Sequence, residues 1–344
     1  MHNFRKVLRT SLLFLLVLLL LSIGFMELYI QTERDSFEDA SDRRALAGTL
    51  DTLIVGASHG YRDFNPVVID GILGTSTYNL SGAMMTMQGR WELLREEVAR
   101  NPVKTIYFEL SFNAMTRNRV REGTEGDLYV FPRLDSFFRR VSFFFSAFSF
   151  EECPEVYRKF VSEGIEAGIE IVEGKPGSQK RPIRGYLPTG PRTTEIRTDF
   201  ENFYHTNSLR TTPDPYNVEY FTRIMELCRE KGIRVIFVTT PITKAQICKY
   251  DNFDGIYRYY QQLAAQYGCE FYDFNLYREK ETLFPDLTAF YDNLHLNPEG
   301  ADRFSELFAN VLAAAGRGED VSARFYASYY EMQNTWGLTK AAKK

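Results

Sequence analysis

A serine and a histidine that could act together stand at opposite ends of this chain. The serine lies in Gly56-Ala57-Ser58-His59-Gly60, and the histidine lies in Asp292-Asn293-Leu294-His295. An Asp that accepts one imidazole N–H fixes the tautomer, so that the other ring nitrogen can take a proton from a serine hydroxyl. The pattern predicts Ser58 as a nucleophile, His295 as its general base and Asp292 as the orienting acid. A serine N-cap and a loop histidine ahead of the last helix are the plainer alternatives.

Two further segments put hydrogen-bond donors directly after apolar runs. Gly82 ends Tyr78-Asn79-Leu80-Ser81-Gly82, and Asn113 ends Glu109-Leu110-Ser111-Phe112-Asn113. The Gly82 N–H, the Asn113 amide and the Ser58 N–H together would form an oxyanion hole, which stabilises the negative charge of a tetrahedral intermediate. A turn glycine and a turn asparagine are the alternatives.

Short apolar runs alternate with helical patterns along most of the chain. We predict strands at residues 51–56, 75–80, 104–110, 233–239 and 270–274, and helices at 86–99, 217–231, 256–267 and 302–315. This alternation is typical of an α/β fold with a parallel sheet and helices on both faces. Functional groups of such folds collect at the carboxyl ends of the strands, where Ser58, Gly82 and Asn113 would lie.

Residues from about 117 to 215 interrupt this alternation. They contain a phenylalanine-rich stretch at 137–150, a helical pattern near 155–172 and a segment rich in glycine and proline. We interpret them as an insertion that covers or flanks the site. The phenylalanines form either the core of the insertion or a lipid-facing patch.

The N-terminal residues predict a membrane anchor. Residues 1–10 carry Arg5, Lys6 and Arg9 as a basic tail, residues 11–30 are apolar, and residues 31–50 are a charged linker into a domain at 51–344. Basic residues on the N-terminal side predict a cytoplasmic N-terminus, a single pass through the cell membrane and an extracytoplasmic domain. A cleaved signal peptide is the alternative. An exported domain has no ready access to cytoplasmic cofactors, and we predict none.

Composition narrows the classes of partner and metal. The formal charge is −4 at pH 7, and no basic stripe dominates, which argues against nucleic acid as the main partner. The four cysteines form no Cys-x-x-Cys pair, which argues against a zinc site, while disulfides outside the cytoplasm stay open. His59 has no second metal ligand at a suitable spacing, and we predict that it either faces solvent or lies behind the catalytic residues. His205 is either a plain loop residue or one that contacts a polar substrate. Glu109 is either a buried acid at a strand end or a salt-bridged structural residue.

The four motifs together resemble the SGNH/GDSL hydrolase superfamily. The resemblance rests on Ser58 after the first strand, Gly82 after the second, Asn113 after the third and the Asp292–His295 pair before the last helix. It covers about residues 51–115 and 217–315. It implies a flavodoxin-like sheet, Ser58 as nucleophile, Gly82 and Asn113 as oxyanion donors, and His295 and Asp292 as base and orienter.

Two motifs depart from the superfamily pattern. Gly56-Ala57-Ser58 stands in place of Gly-Asp-Ser, and Ser111-Phe112-Asn113-Ala114 stands in place of Gly-x-Asn-Asp. With the anchor, these departures are similar to the branch that contains polysaccharide O-acetylation and teichoic acid D-alanylation proteins. That branch implies a cell-envelope polysaccharide or acyl donor as substrate, and a membrane-bound O-acyltransferase as partner. Acyl transfer, simple ester hydrolysis and a non-catalytic assembly role remain three alternatives.

Overall fold

The computed structural model describes residues 2–37, 40–118, 125–173, 182–191, 196 and 204–337. Its strands are β1 (Thr52–Val55), β2 (Thr77–Asn79), β3 (Thr105–Glu109), β4 (Arg234–Thr239) and β5 (Glu270–Asp273). Its α-helices are α1 (His2–Phe37), α2 (Ala40–Ala45), α3 (Ser58–Asp63), α4 (Pro66–Leu73), α5 (Met87–Arg100), α6 (Glu125–Leu128), α7 (Phe137–Ala147), α8 (Cys153–Val172), α9 (Pro215–Lys231), α10 (Lys244–Cys248), α11 (Phe253–Tyr267), α12 (Lys280–Leu283), α13 (Asp286–Ala289), α14 (Pro298–Gly316) and α15 (Tyr329–Thr335). Short 3-10 helices lie at Phe131–Arg133, Phe274–Leu276 and Ser322–Arg324.

The strands form one parallel sheet in the order β2-β1-β3-β4-β5. This is the strand order of flavodoxin-type folds, in which the chain reverses its direction of travel across the sheet between β1 and β3. Val55 pairs with Phe108, and Glu109 pairs with Val238, so the carboxyl ends of the three central strands lie level. The predicted α/β class, the parallel sheet and its flavodoxin-like order are confirmed.

Both faces of the sheet are covered by apolar helix surfaces. On one face α5, α9 and α11 pack through residues such as Leu94, Phe221 and Leu263. On the other face α4 and α14 pack through Ile69 and Phe304. Strands buried on both sides read as continuous apolar runs, and for this reason the sequence revealed them. The predicted helices and strands are confirmed, with boundaries that shift by a few residues.

Two helices that the sequence analysis did not predict follow β1. Helix α3 begins at Ser58 and ends at Asp63, and α4 begins with Pro66 after the N-cap Asn65. The Asn65 side chain accepts a hydrogen bond from the Val67 N–H, as an N-cap should. Helix α3 is too short and too polar to show a 3.6-residue apolar period, so periodicity could not reveal it.

A third apolar cluster joins α1 to α7 and α8 on the outer side of α5. Within residues Phe4–Ile30 of α1 an 18-residue window has a mean hydropathy of 2.5, and by length and composition this helix can cross a membrane. The helix continues to Phe37 instead of ending at residue 30, so part of the predicted linker is helical. The phenylalanine-rich stretch divides between the two interpretations, because Phe143 is buried whereas Phe138 is 82% exposed.

The four cysteines are all unpaired in this structure: Cys153, Cys228, Cys248 and Cys269. Cys228 and Cys248 are buried, and burial raises the pKa of each thiol to about 12. Both therefore behave as small apolar core residues at neutral pH.

The boundaries of the predicted insertion stay a prediction. Its described parts include α6, α7 and α8, together with residues 182–191.

Candidate active site

Ser58, His295 and Asp292 lie in a continuous hydrogen-bonded row. The Ser58 Oγ is 2.9 Å from the His295 Nε2, although the two residues are 237 positions apart in the chain. The His295 Nδ1 lies 2.9 Å from Asp292 Oδ2 and 3.1 Å from Oδ1. The histidine and aspartate side chains are 16% and 27% exposed, so the row opens to the surface at one side. This geometry allows a proton to pass from the serine hydroxyl to the imidazole.

The loop that carries His295 is shaped by Asp292. One carboxylate oxygen, Oδ1, accepts the backbone N–H groups of Leu294 at 2.7 Å and of His295 at 2.8 Å. Burial of the Asp292 carboxyl raises its pKa, but the hydrogen bond and charge of His295 and these two N–H groups outweigh burial and lower the pKa to about 2. Asp292 is therefore ionised at neutral pH and holds the imidazole in one orientation.

The serine follows β1 at a point where two strands approach closely. The Ala57 N–H donates to Glu109 Oε2 at 3.0 Å, so the end of β3 holds the residue before the serine. A Cβ at Gly56 would lie 2.6 Å from the Glu109 Cβ, a separation that only glycine tolerates. Glu109 is buried, and Arg90 donates to its carbonyl oxygen at 2.9 Å. The Arg90 Nη2 also lies 3.9 Å from the Glu109 Oε2, which agrees with the predicted alternative of a salt-bridged structural residue.

The second glycine of the serine motif packs against the end of β2. A Cβ at Gly60 would overlap the Ser81 side chain. Asn79, which is buried, donates to the Gly60 carbonyl at 2.8 Å and to the Phe64 carbonyl at 3.2 Å. Strand β2 therefore fixes the position of α3, the helix that begins at Ser58.

A buried network behind the row joins three segments through Asp63. The Asp63 Oδ1 accepts the Leu296 N–H at 3.0 Å, and its Oδ2 accepts the Thr240 hydroxyl at 2.8 Å. His59 is buried as well, with its Nδ1 lying 3.5 Å from Asp63 Oδ2 and its ring centroid 5.0 Å from that of His295. The expectation that His59 faces solvent is therefore wrong, and the alternative of a residue behind the catalytic row agrees with its position.

The charge of His59 is governed by its neighbours. Burial alone would lower the pKa of this imidazole, but the hydrogen bond and charge of Asp63, with the charges of Glu109 and Asp292, raise it above the ordinary value. A second imidazole that favours the protonated form thus lies beside His295.

The predicted oxyanion donors follow β2 and β3 as expected. Gly82 is buried beside Arg133, whose Nη1 donates to the Ser81 carbonyl at 3.1 Å. Asn113 is exposed in the turn after β3 and lines a cavity of about 40 Å³ together with Ala57. The turn that carries each donor is therefore near the serine turn, and the role of both residues stays a prediction.

Sequence reasoning did not single out Asp63, Thr240, Asn79 or Arg133. Each is buried and polar, and its partners come from distant segments. The polar residue Asn79 within an apolar strand run was a usable signal, since a buried polar side chain must find a partner. Asp63 and Thr240 carry no such local signal.

Residues 182–191 contact the site region from the side of β2. The Leu187 N–H donates to the Tyr61 carbonyl at 3.1 Å, and the Thr189 hydroxyl donates to the Leu296 carbonyl at 2.9 Å. This stretch of the predicted insertion therefore flanks both the serine helix and the histidine loop. Among the described residues, no group of three or more His, Cys, Asp or Glu side chains is placed to hold a metal ion.

A larger cavity lies away from the row. It has a volume of about 660 Å³ and lies along β5, where Tyr257, Tyr272 and Tyr326 are among its lining residues. It contains none of the predicted site residues. We therefore place the candidate site at the row of Ser58, His295 and Asp292, because of the chemistry of these side chains and not because of the size of a cavity.

No known family's sequence profile matches this chain, and no curated protein matches it. Similar solved structures include a G-D-S-L family lipolytic protein from Desulfitobacterium hafniense, with 9% identity over 76% of this chain and 99% of that one, and a TM-score of 0.36. An acylhydrolase from Bacteroides fragilis has 11% identity over 80% and 95%, with a TM-score of 0.38. An acetyl xylan esterase from Butyrivibrio proteoclasticus has 9% identity over 79% and 65%, with a TM-score of 0.30.

The contact between Gly60 and Ser81 yields a stability prediction. Gly60→Ala should lower the free energy of unfolding by about 1–3 kcal/mol, because the new methyl group overlaps the Ser81 side chain. The double variant Gly60→Ala with Ser81→Gly should regain part of that loss, since the Ser81 Oγ has no hydrogen-bond partner among the residues that the structure describes. Urea unfolding measures both. If the losses in free energy of unfolding from Gly60→Ala and Ser81→Gly simply add in the double variant, the overlap of the new methyl group with Ser81 would be contradicted.

The short contact of Asp292 with His295 yields a kinetic prediction. Asp292→Asn should lower kcat of an ester substrate by about 10³- to 10⁴-fold, because an amide can hold the imidazole in the wrong tautomer. Steady-state kinetics measure this change.

Unfolding measured at a series of pH values shows whether the Asp292→Asn variant still folds. The lowered pKa of Asp292 means that its contribution to stability is complete above about pH 4 and is lost as the pH falls towards about 2. The stability difference between the two proteins should therefore be constant near neutral pH and should shrink in acid. A difference that grows in acid would contradict the assignment.

Proposed function

We propose that this chain is a membrane-anchored, SGNH-type serine esterase or O-acyltransferase. Ser58 is the nucleophile, His295 the general base and Asp292 the residue that orients it. The observation that carries the proposal is the 2.9 Å separation of the Ser58 Oγ and the His295 Nε2. Such a contact activates a serine hydroxyl that is otherwise a weak nucleophile at neutral pH.

The reaction follows from these positions. The Ser58 Oγ attacks the carbonyl carbon of an ester while His295 takes the hydroxyl proton on Nε2. The tetrahedral intermediate then collapses, His295 returns the proton to the departing alcohol oxygen, and the acyl group stays on Ser58 as an ester. Water or a second alcohol attacks this acyl-enzyme in the same way and restores the serine. Ionised Asp292 stabilises the imidazolium that forms in each half-reaction.

The negative charge on the substrate oxygen needs donors at the same edge of the sheet. We assign this role to the backbone N–H groups of Ser58 and Gly82 and to the Asn113 side-chain amide. Their positions after β1, β2 and β3 support the assignment, because β2 and β3 flank β1 in the parallel sheet and the three carboxyl ends lie at the same edge. Each such donor is typically worth about 3 kcal/mol in the transition state.

We place the reaction at the outer surface of a cell membrane. The apolar segment Phe4–Ile30 supports a single-pass anchor, and Arg5, Lys6 and Arg9 before it support a cytoplasmic N-terminus. The substrates we propose are O-acyl groups of a cell-envelope polysaccharide or a related polymer. A membrane-bound O-acyltransferase would then be the partner that supplies acyl groups across the membrane.

The nucleophile can be tested by covalent trapping. A fluorophosphonate probe should label the full chain once, at Ser58, because only an activated serine attacks such a phosphorus centre at an appreciable rate. Peptide mass spectrometry locates the label. The variants Ser58→Ala and His295→Ala should lose it.

The exposed serine Ser162 on α8 provides the matched control, since Ser162→Ala removes the same hydroxyl from the surface. That variant should label as fully as the unchanged chain. A label on folded Ser58→Ala protein, or none on the unchanged folded chain, would refute the assignment.

Acyl transfer and hydrolysis differ in what releases the acyl-enzyme. For a transferase, p-nitrophenyl acetate should give a stoichiometric burst of nitrophenol followed by slow turnover, because water reaches the acyl-Ser58 poorly. An oligosaccharide acceptor should speed the second phase and appear as an O-acetylated product in mass spectra. Rapid steady turnover that the acceptor leaves unchanged would favour the simple esterase instead.

A further inference from the structure

Helix α7 has apolar side chains on its outer face as well as on its inner face. Phe143 and Ala147 are buried against the domain, whereas Phe138 and Phe145 on the other side are 82% and 72% exposed. Phe150, just beyond the end of the helix, is 94% exposed. The outer face of a helix in a soluble domain is normally polar, and an apolar one indicates contact with something other than water.

The helix that carries this exposed apolar face contacts the helix that we propose to cross the membrane. The Arg140 Nη2 lies 3.1 Å from the Glu27 Oε1, which ties α7 to the domain end of α1. The rings of Tyr29 and Phe160 lie 4.6 Å apart, centroid to centroid, so α8 packs on the same end. Residues of α1 from Phe4 to Leu21 are largely exposed, as lipid-facing residues would be.

Helix α8 lies directly against the backbone of α1. A Cβ at Gly164 would overlap the Phe25 carbonyl oxygen, and a Cβ at Gly168 would lie 3.6 Å from the Leu28 side chain. Two glycines four residues apart let helices pack at close range, which is the manner of helix pairs in membranes. The anchor is therefore docked on the domain and does not act as a loose tether.

The docking extends into the catalytic domain through the ion pairs of a buried arginine. Arg43, which follows α1 in the short helix α2, is 2% exposed and lies 2.7 Å from the Asp135 Oδ2. The same guanidinium lies 3.6 Å from Glu96 of α5, the helix that covers the sheet. Since Asp135 precedes α7, these pairs fix α7 and the anchor relative to the sheet.

We propose that the outer face of α7, together with Phe150, inserts into the headgroup region of the membrane leaflet nearest the domain. The proposal rests on the anchor in the proposed function. The occupant is lipid, because the face is a convex helix surface beside the span and not a groove shaped for a peptide. Helices of this kind bury their apolar face about 5–10 Å into the boundary of headgroups and acyl chains. The domain is thus held on the bilayer in one orientation. We call this contact of α7 and Phe150 with lipid the seat.

Tryptophan quenching by brominated lipid tests this seat. The full chain with Phe145→Trp is reconstituted in phosphatidylcholine vesicles whose acyl chains carry bromine either near the headgroup or near the chain end. Its added fluorescence should fall about twofold with bromine near the headgroup, and less with bromine near the chain end. Signal from Trp91 and Trp336 is subtracted with the unchanged chain. Phe145 is already 72% exposed, so the larger ring needs no repacking.

Two variants provide the controls. Val67→Trp lies on α4, on the opposite face of the sheet, at 50% exposure, and should lose less than about a tenth of its signal. Leu16→Trp lies within α1 and should be quenched most by bromine near the chain end. Quenching at Leu16→Trp without quenching at Phe145→Trp would overturn the seat and keep the anchor. No quenching at either position would overturn both, and equal quenching at Val67→Trp would overturn the seat as general adsorption.

Because no ester substrate is used, none of these outcomes depends on Ser58. Failure of the seat is therefore distinguishable from failure of the catalytic assignment. A face that binds a membrane protein instead of lipid would stay unquenched in vesicles of pure lipid, and this result counts against the proposal.

Discussion

The candidate site depends above all on the buried carboxylate of Asp63. Its side chain is fully buried, and its two oxygens accept from the Leu296 N–H and the Thr240 hydroxyl. A buried carboxylate without such partners would be costly, so the helix after β1, the end of β4 and the histidine loop are held in one arrangement. Asp63 ends the helix that Ser58 begins, and Leu296 follows His295. The same contact therefore sets the distance between the hydroxyl and the imidazole.

Close backbone approach at the carboxyl edge of the sheet is the second constraint. Gly56 lies against Glu109 of β3, and Gly60 lies against Ser81 after β2. A side chain at either glycine would push the serine turn away from its neighbours. The parallel sheet supplies the common edge, and these glycines bring the turns together there. The polar groups of a site can then converge although each comes from a different strand.

The two halves of the molecule serve different purposes. The sheet and its helices organise the hydroxyl–imidazole–carboxylate row, whereas α1, α7 and α8 form a separate apolar cluster outside α5. The ion pairs of buried Arg43 with Asp135 and Glu96 connect the two halves. Under the proposed function a fixed orientation would help, since productive encounters with a polymer near the membrane would then need no reorientation of the whole domain.

The sequence by itself determined the parallel α/β fold and the apolar N-terminal helix, because buried strands read as apolar runs and a helix long enough to span a membrane needs a longer run. It also indicated Ser58, Asp292 and His295, since their motifs are local. Only the tertiary structure decided that Ser58 and His295 meet, and that His59 is buried behind them. Those facts rest on contacts such as that of Asp63 with Leu296, whose partners lie far apart in the chain and leave no periodic or local pattern.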